Sequence, residues 1–477
     1  MDYQGFNAYE KSIIKASTGS YTVFMAKEAD GDYLVVIGEN PGLEGEKLPG
    51  EVTKAPLNHR NAETLRKLFP FTAPSRVLGK ERSFGLGDRL GIATPGHAEL
   101  FEKYDAYPVF AQQSIRELNL TNRTYEDVLD AASFAVFREG FKKSWGADGD
   151  HLKTAKDVEY ALSLGFTMIT LDCSEHIKND VTDENAPALP QQYADKYLGE
   201  NFDIGEGLRL SFDETELRRI VAIYEKAILF AVDIYKQFFA DGKYQADFEI
   251  SIDETLTPTS PLQHFFVARE LIDAGVVFAT LAPRFCGEFQ KGVDYVGDLG
   301  QFEKEINAHA IIVRYFSAMH FRYKLSIHSG SDKFAVFPLV SKATKGIFHV
   351  KTAGTNWLEA MRVVAMTDPS LYREVHKYAL EAFEEASKYY IVTTDLSKIP
   401  SVDNLSDAEL PGLFENNDSR QLIHITYGLI LNKKNSDGAF SFKDKLYKLW
   451  RDHDGEYIQA LKKHIGRHLD LLGVKGS

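Results

Sequence analysis

The chain has 477 residues, of which 44% are hydrophobic and 26% charged, a balance typical of a folded globular protein. Its formal net charge of -14 and its pI near 5.5 disfavour nonspecific binding to nucleic acid or anionic membranes, because either surface would repel the average field of the protein. Only two cysteines are present, and the sequence contains neither a signal peptide nor an apolar stretch long enough to span a bilayer. We therefore expect a soluble cytoplasmic protein that is not exported.

The N-terminal segment, residues 1–78, predicts a small α/β cap that carries no catalytic residues. An alternating aromatic run over residues 21–25 and an apolar run over residues 33–37 have the composition of two strands. The segment between them, residues 28–32, reads Glu-Ala-Asp-Gly-Asp and is typical of a turn. These features predict two adjacent strands joined by that turn.

From about residue 80, short apolar runs alternate with segments of helical period, which predicts successive βα units and a parallel sheet. Eight such runs occur, over residues 84–93, 107–111, 144–147, 166–171, 247–252, 276–281, 323–327 and 346–350. Eight units within about 270 residues match the size of a (β/α)8 TIM-like barrel. We therefore predict an α/β protein with a catalytic barrel over residues 79–365.

Helices are predicted between these strands and beyond them. Residues 125–141, 214–239 and 302–316 have helical period, and the second of these begins with the glutamates that favour a helix N-terminus. Residues 366–477 predict a mainly helical extension packed on the barrel, with helices over 372–390 and 442–472. Between these two helices, prolines in residues 400–420 indicate a loop that could reach over the barrel mouth.

Polar and reactive side chains follow the predicted strands at their carboxyl ends, where the active site of a barrel lies. They are Gln112, Gln113, Asp148, Asp150, His151, Asp172, Glu175, His176, Asp253, Glu254, Arg284, Glu288, His328, Ser329, Ser331, Lys351 and Thr352. A doubly wound sheet is the competing fold. It would concentrate such residues at one switch point and would favour a Gly-rich phosphate turn, and no G-x-G-x-x-G motif follows the first strand.

The densest cluster of these residues reads W-G-A-D-G-D-H-L-K over residues 145–153. Two carboxylates, an imidazole and an ammonium spaced by glycines suit metal binding or proton transfer, and the glycines allow tight turns and close approach of a ligand. The alternative interpretation of Asp-Gly-Asp is an ordinary solvated turn. Its position after the third predicted strand favours the functional interpretation.

Most of the 14 histidines fit a structural role, and two do not. His309, His320 and His424 lie in apolar helical patterns and are expected to pack or face solvent, whereas His349 lies within the last strand. His151 and His328 each follow a strand, and His328 precedes a polar, flexible loop. Together with a carboxylate such as Glu288, they would make a three-ligand site for a catalytic divalent metal, although neither histidine lies in an H-x-x-x-H or C-x-x-C spacing.

The fifth predicted strand is unusually acidic. Alternation over residues 247–253 puts Asp247, Glu249, Ser251 and Asp253 on one face and three apolar residues on the other. Burying carboxylates is costly unless they are paired or coordinate a cation, so an inward acidic face predicts partners such as a metal, Arg284 or Lys351. The alternative is an edge strand with a solvated face. By contrast, Asp88 and Arg89 near the first strand are expected to form an ion pair rather than part of a phosphate loop.

Taken together, several stretches resemble the tagaturonate/fructuronate epimerase family, and related sequences also act on neutral ketohexoses. The stretches begin at Ser83 (SFGLGDRLGI), Phe110 (FAQQS), Gly146 (GADGDH), Asp247 (DFE), Ile327 (IHSGSDKF) and His349 (HVKTAGT). The resemblance covers nearly the whole chain. It implies a metal-dependent epimerase in which Asp150 is the proton acceptor, Glu249 the proton donor, and His151 and His328 metal ligands.

The implied reaction inverts C3 of a keto-uronate whose ketone is at C5. Because C3 is β to the carbonyl, the expected route removes the C3 hydroxyl proton, breaks the C3–C4 bond and re-forms it on the other face, with stepwise enolisation as the alternative. The metal would be Mn, Zn, Ni or Fe. Lys351, Arg284 or Lys153 could hold the substrate carboxylate, and Gln113 and Ser329 are expected to contact the substrate. The rival functions are a metal-dependent aldolase, a sugar isomerase and a noncatalytic sugar-binding protein.

Overall fold

The N-terminal segment forms a five-stranded antiparallel sheet in the computed structural model, which describes residues 1–29 and 31–476. The strands are β1 (Asp2–Tyr3) and β2 (Phe6–Asn7), which pair with each other, and β3 (Ile14–Lys15), β4 (Tyr21–Lys27), β5 (Asp32–Gly38), β6 (Glu46–Leu48) and β7 (Val52–Pro56), which form the sheet in the order β3-β4-β5-β7-β6. One face of the sheet packs on α1 (His59–Leu68), which Asn58 caps by accepting a hydrogen bond from the Asn61 amide. The two predicted strands are confirmed as β4 and β5, whereas Asp30 of the predicted turn lies outside the described residues.

Eight parallel strands close into a barrel, which confirms the predicted α/β barrel fold. Going around the barrel they are β8 (Arg82–Gly87), β9 (Tyr107–Ser114), β10 (Gly146–Leu152), β11 (Met168–Asp172), β14 (Asp247–Ile252), β15 (Thr280–Pro283), β16 (Lys324–Ile327) and β17 (Phe348–Ala353), which pairs with β8. An antiparallel hairpin, β12 (Phe202–Gly205) and β13 (Leu208–Leu210), lies between β11 and β14 in the chain. Because all eight barrel strands run the same way, their carboxyl ends meet at one rim.

A helix or a pair of helices follows each barrel strand and covers its outer face. They are α2 (Thr94–Phe101), α3 (Ile115–Thr121), α4 (Tyr125–Glu139), α5 (Ala155–Ser163), α6 (Gln191–Tyr197), α7 (Glu214–Phe238), α8 (Pro261–Asp273), α9 (Leu299–Ala318), α10 (Phe337–Thr344) and α11 (Thr355–Thr367). The apolar residues of the barrel strands and of most of these helices form one large buried cluster, whereas those of α11 belong to a second one. The rim residues are therefore held on a rigid support.

Several predicted strand limits are wrong by a few residues, for local reasons. The first strand ends at Gly87 rather than residue 93, because the Asp88 carboxylate accepts hydrogen bonds from the Leu90, Gly91 and Ala93 amides and turns the chain into α2. The third strand runs over Gly146–Leu152 rather than 144–147. The Asp-Gly-Asp cluster thus lies within a strand and is not a turn.

The glycines of that strand serve packing. A Cβ on Gly149 would lie 3.0 Å from the Ala161 Cβ and from Leu152 Cδ1, so a larger residue would collide with α5 and its own strand. The backbone is extended here, and the aspartates on either side, Asp148 and Asp150, point to the opposite face, into the barrel. The sequence interpretation of these glycines as turn residues is corrected accordingly.

The C-terminal part is helical, as predicted. Its helices are α12 (Pro369–Ala386), α13 (Asn417–Ile425), α14 (Tyr427–Asn432), α15 (Lys443–Asp452) and α16 (Asp454–Leu471). The predicted helix over 442–472 is broken at His453, which leaves helical geometry and separates α15 from α16. Residues 400–420 were expected to form a loop that could reach over the barrel mouth. Instead they pack beside α11, where Leu410, Leu413 and Phe414 are buried in a second apolar cluster.

The proposed domain limits at residues 78 and 365 stay predictions. Apolar contacts cross the second limit, because Ile465 and Leu469 of α16 belong to the buried cluster of the barrel. In the described part of the chain, no helix is both long and apolar enough to cross a membrane.

Candidate active site

A cavity of about 700 Å³ opens at the carboxyl rim of the barrel. The side chains of Asp150, His151, Asp253, His328 and Lys351, which come from four barrel strands or the residues just after them, line it together. A cavity of this size, lined by ionisable side chains at this rim, is where the barrel fold carries its chemistry.

Lys351 is the electrostatic centre of the cavity floor. Its ammonium lies 2.7 Å from Asp148 Oδ2 and 3.3 Å from Glu249 Oε1, and it also donates a hydrogen bond to Asp150 Oδ1. Thr170 Oγ1 lies 2.6 Å from the same ammonium and within 3.1 Å of both Asp148 and Glu249. One buried cation thus connects three buried carboxylates.

This arrangement separates the proton affinities of the carboxyl groups. Burial raises the pKa of Asp148 to about 7, with Lys351 opposing the shift. Burial also acts against ionisation of Asp150 and Glu249, but Lys351 and a neighbouring histidine in each case hold their pKa values well below the usual range. The three carboxylates in turn raise the pKa of Lys351 against the effect of burial. Asp150 and Glu249 are therefore charged at neutral pH, while Asp148 is the group nearest to exchanging a proton.

His151, Asp253 and His328 form a compact group of metal-ligand type. Each offers one ligand atom, and these atoms all lie within 4.8 Å of one another. His151 Nδ1 contacts Asp150 Oδ1 at 2.8 Å, and its Nε2 has no hydrogen-bond partner in the described part of the chain. His328 Nε2 contacts Glu249 Oε1 at 2.8 Å. His328 Nδ1 faces Asp253 Oδ2 at 3.2 Å, yet among the described residues it has no aligned hydrogen-bond partner. A buried nitrogen and a carboxylate oxygen that face each other in this way suit ligands of a shared cation.

Backbone irregularities bring these side chains to the same cavity. His151 has a φ of 54°, and the register between β10 and β11 shifts between Gly149 and Leu152. In a regular strand, adjacent residues point to opposite faces, so Asp150 and His151 could not both face the cavity. Ser329, which follows His328, has a φ of 51° and also lines the cavity.

A second group, Asp332, His464 and His468, also has metal-ligand spacing. Here His468 Nε2 accepts a hydrogen bond from the Asp332 amide, and Nδ1 lies 2.9 Å from the His464 carbonyl oxygen. Asp332 is already paired with Arg420 at 2.8 Å. Since backbone groups engage both nitrogens of His468, this second group serves to tie the loop after β16 to α16.

Two of the sequence-predicted site residues lie apart from the cavity centre. Glu288 is exposed on the loop after β15, where its backbone pairs with Val296, and it does not join the two histidines. Asp253, rather than Glu288, lies beside the two histidines, because β14 ends next to His328. Gln113 does not line the cavity, whereas its neighbour Gln112 does. The cause is an extra residue in β9 opposite Gly146, which reverses the alternation of the strand.

The other predicted residues are distributed around the rim. Arg284 is half-buried in an adjoining cavity of about 330 Å³, which shares His328 and Ser329 with the main one. Lys153 lines the main cavity but lies 3.4 Å from Asp172 Oδ2 and 3.5 Å from Glu175 Oε1.

The inward acidic face of β14 is confirmed, with a different set of partners along its length. Asp247 pairs with Arg76 at 2.9 Å near the start of the strand, Glu249 contacts Lys351 and His328, and Ser251 donates a hydrogen bond to Asp253. Arg284, one of the predicted partners, is not among them.

Two further residues from the sequence analysis, His349 and Arg89, lie in the barrel interior and at its rim. His349 points into the barrel below the cavity, where Nδ1 lies 3.0 Å from Ser83 Oγ and burial lowers its pKa to about 3. The expected ion pair between Asp88 and Arg89 is wrong. Arg89 pairs with Glu117 at 3.0 Å, because Asp88 is occupied in capping the following turn.

Sequence reasoning did not identify several residues that line the cavity, among them two cations and a tyrosine. Arg116 and Lys291 line it from the segments after β9 and β15, and Tyr390 lines it from the segment after α12. The signal for Asp253 was present in the alternation of β14, but these three residues have no motif or spacing that would single them out.

Comparisons with known proteins show the family to which this chain belongs. The model of the tagaturonate epimerase family (UxaE) matches residues 9–472. The chain belongs to this family. It is 44% identical to the tagaturonate/fructuronate epimerase of Thermotoga maritima over 483 positions, covering 98% of this chain and 97% of that protein.

Solved structures are also similar in fold to this member of the tagaturonate epimerase family. A glycerol-bound crystal structure of the fructuronate-tagaturonate epimerase UxaE from Cohnella laeviribosi matches with a TM-score of 0.94 and 48% identity, covering 99% of this chain and 97% of that one. The native crystal structure of the same enzyme matches with a TM-score of 0.93 and 48% identity, covering 98% and 97%. The chain is thus an enzyme of the isomerase class, an epimerase, with a barrel whose rim carries ionisable side chains.

Proposed function

We propose that this protein interconverts D-tagaturonate and D-fructuronate and that it requires a divalent cation. The observation that carries the proposal is the convergence at one rim of three ligand-type side chains, His151, Asp253 and His328, beside two charged carboxylates, Asp150 and Glu249. The substrate pair is supported by the names of the relatives, which are similar over almost their whole lengths.

The donor set at the rim fits a divalent metal. Two imidazoles and one carboxylate leave coordination positions open for a substrate, and this ligand mixture suits Mn, Zn, Ni or Fe. When bound, the cation would act as a Lewis acid on the substrate ketone. His328 Nδ1 and Asp253 Oδ2 lie close together without an aligned hydrogen bond. A cation bound between them would give both atoms a partner.

The substrate chemistry explains why both an acceptor and a donor are needed. C3 is β to the C5 ketone, so its proton is not acidified directly by the carbonyl. Removal of the C3 hydroxyl proton turns C3 into an aldehyde carbon as the C3–C4 bond breaks, and the electron pair moves onto the C5 oxygen as an enediolate. Addition of C4 to the other face of the aldehyde re-forms the bond, and a proton returned to the C3 oxygen completes the inversion.

We assign the proton removal to Asp150 and the proton return to Glu249. Asp150 is charged and lies at the cavity surface, so it can accept a hydroxyl proton. Glu249 is also charged in this state and must first receive a proton. Lys351 contacts both carboxylates and can carry the proton from one to the other, which restores the starting state after each turnover. We therefore propose a relay role for Lys351 in place of substrate carboxylate binding.

Ser329 and Gln112 line the cavity and are proposed to bind substrate hydroxyl groups, and Arg284 is proposed to contact the end of the substrate nearest the adjoining cavity. We further propose a cytoplasmic location, which the two free cysteines, Cys173 and Cys286, support.

The test is an NMR time course of the purified protein with D-tagaturonate, after chelation and after addition of single divalent metals. Metal-dependent appearance of D-fructuronate is the expected result. Release of three-carbon fragments would favour an aldolase, an aldose product would favour an isomerase of that type, and full activity after chelation would refute the metal requirement. Solvent deuterium incorporated at C3 without cleavage would replace the bond-breaking route by stepwise enolisation.

A further inference from the structure

Two cations line the catalytic cavity without a carboxylate partner. Arg116, at the start of α3, and Lys291, on the loop after β15, line both the main cavity and the adjoining one. Within residues 1–29 and 31–476, neither side chain has a carboxylate within 4.0 Å or a hydrogen bond to another protein group. Both are therefore available to a ligand in the cavity.

The other cations of the same cavity are already neutralised. Lys351 is held by three carboxylates, Arg89 pairs with Glu117 at 3.0 Å, and Lys153 pairs with Asp172. Glu254, an acid that also lines both cavities, lies 4.0 Å from Lys153. The unbalanced positive charge thus lies on the side of the cavity that Arg116 and Lys291 share.

Both cations are held by surrounding structure. The Lys291 carbonyl accepts a hydrogen bond from Gln421 Nε2 at 3.2 Å, and the preceding Gln290 carbonyl accepts one from the buried Lys333 ammonium at 2.7 Å. The guanidinium of Arg116 lies 5.2 Å from the centre of the Tyr390 ring. Fixing the loop on one side and the guanidinium on the other reduces the entropy lost when a ligand binds.

Burial places the charge of Lys291 in an unfavourable environment. Burial lowers its pKa, and the nearby guanidinium groups of Arg89 and Arg116 lower it further, while Glu117 acts in the opposite direction. A bound anion would stabilise the charged form of Lys291 and would accept a strong charge-assisted hydrogen bond from it.

We propose that Arg116 and Lys291 bind the carboxylate of the keto-uronate substrate and thereby determine the preference for sugar acids over neutral ketohexoses. The proposal rests on the proposed function, since it assigns the carboxylate end of the same substrate. The planar guanidinium of Arg116 can donate two hydrogen bonds to the two oxygens of a carboxylate, and the ammonium of Lys291 adds a second charged donor. The reacting carbons would then lie between these cations and the group of His151, Asp253 and His328.

The test compares an acidic and a neutral substrate. Lys291→Met, Arg116→Gln and the double variant are assayed with D-tagaturonate and with the neutral ketohexose D-tagatose. Each single change should lower kcat/KM for tagaturonate roughly 10- to 100-fold, mainly through KM, because a charged hydrogen bond is lost. The kcat/KM for tagatose should change less than about threefold, because tagatose has no carboxylate for these cations to bind. Lys291→Arg should retain most of the activity with tagaturonate.

A binding measurement supplies a readout that does not need turnover. Gluconate and sorbitol, which differ in one carboxylate, are titrated by calorimetry into the same variants, with the exposed Lys67→Gln as control for a lost charge. The variants should lose gluconate affinity and leave sorbitol affinity unchanged. Equal losses for both compounds, or none for gluconate, would overturn the proposal. Absence of epimerisation by the wild-type protein would count against the proposed function alone, because gluconate binding would still test Arg116 and Lys291.

Discussion

Replacement of Lys351 by methionine should perturb stability and turnover together. Lys351 is 3% exposed, and its ammonium contacts three carboxylates, Asp148, Asp150 and Glu249. Removing one partner of a buried ionic network costs about 3–5 kcal/mol, because the remaining charges are left without compensation. With an unfolding entropy of about 2.1 cal/mol/K per residue, this loss lowers the Tm of the chain by roughly 3–5 °C.

The effect should depend on pH with a defined sign. Lys351 contributes to the lowered pKa values of Asp150 and Glu249 in the folded protein. Groups of this kind stabilise the fold above the ordinary carboxyl pKa of about 4, and that contribution is lost as the pH falls. The gap in unfolding free energy between wild type and Lys351→Met should therefore be largest near neutral pH and should narrow below about pH 4.

Calorimetric unfolding and an epimerase assay measure the two effects. Turnover should fall by about 10²- to 10⁴-fold, the range for a lost proton-transfer group. The matched control is Lys342→Met, which breaks an exposed pair with Glu303 and should cost less than about 1 kcal/mol. In the double variant with Glu249→Gln, part of the lost stability should return, because one uncompensated charge is removed. A Lys351→Met protein with an unchanged Tm and turnover within tenfold of wild type would refute the reasoning.

Three further outcomes are expected. Asp253→Ala should weaken Mn²⁺ binding at least about tenfold in calorimetric titrations, whereas Glu288→Ala should leave it unchanged, and the reverse result would restore Glu288 as a ligand. Burial lowers the pKa of Lys324 to about 7, so the unfolded chain binds more protons than the folded one above that pH. The stability of wild type relative to Lys324→Met should therefore rise from pH 7 towards pH 10, and a flat difference in denaturant unfolding would contradict this. Gly149→Ala should lower the unfolding free energy by about 1–3 kcal/mol through collision with α5, while Gly79→Ala, where a Cβ meets nothing within 4 Å, should have little effect in the same measurement.

The barrel was predictable because its signal is repeated and local. Each βα unit carries its own apolar run, and each of the eight runs overlaps one observed strand, although several limits differ by a few residues. The limits are decided by hydrogen bonds that the pattern does not contain. The Asp88 carboxylate caps three amides and ends β8 early, and the pairing of β10 with both its neighbours draws the whole GADGDHL segment into a strand.

The sequence by itself determined the fold class, the end of the barrel that carries the polar residues, and the inward face of β14, because periodicity and strand polarity follow from covalent geometry. The tertiary structure alone decided which of those residues meet. A bulge in β9 exchanged Gln113 for Gln112, the left-handed backbone at His151 brought it beside Asp150, and the end of β14 gave Asp253, rather than Glu288, to the histidine pair. Such choices depend on single-residue shifts in register and on contacts between distant strands, and neither is encoded in local spacing.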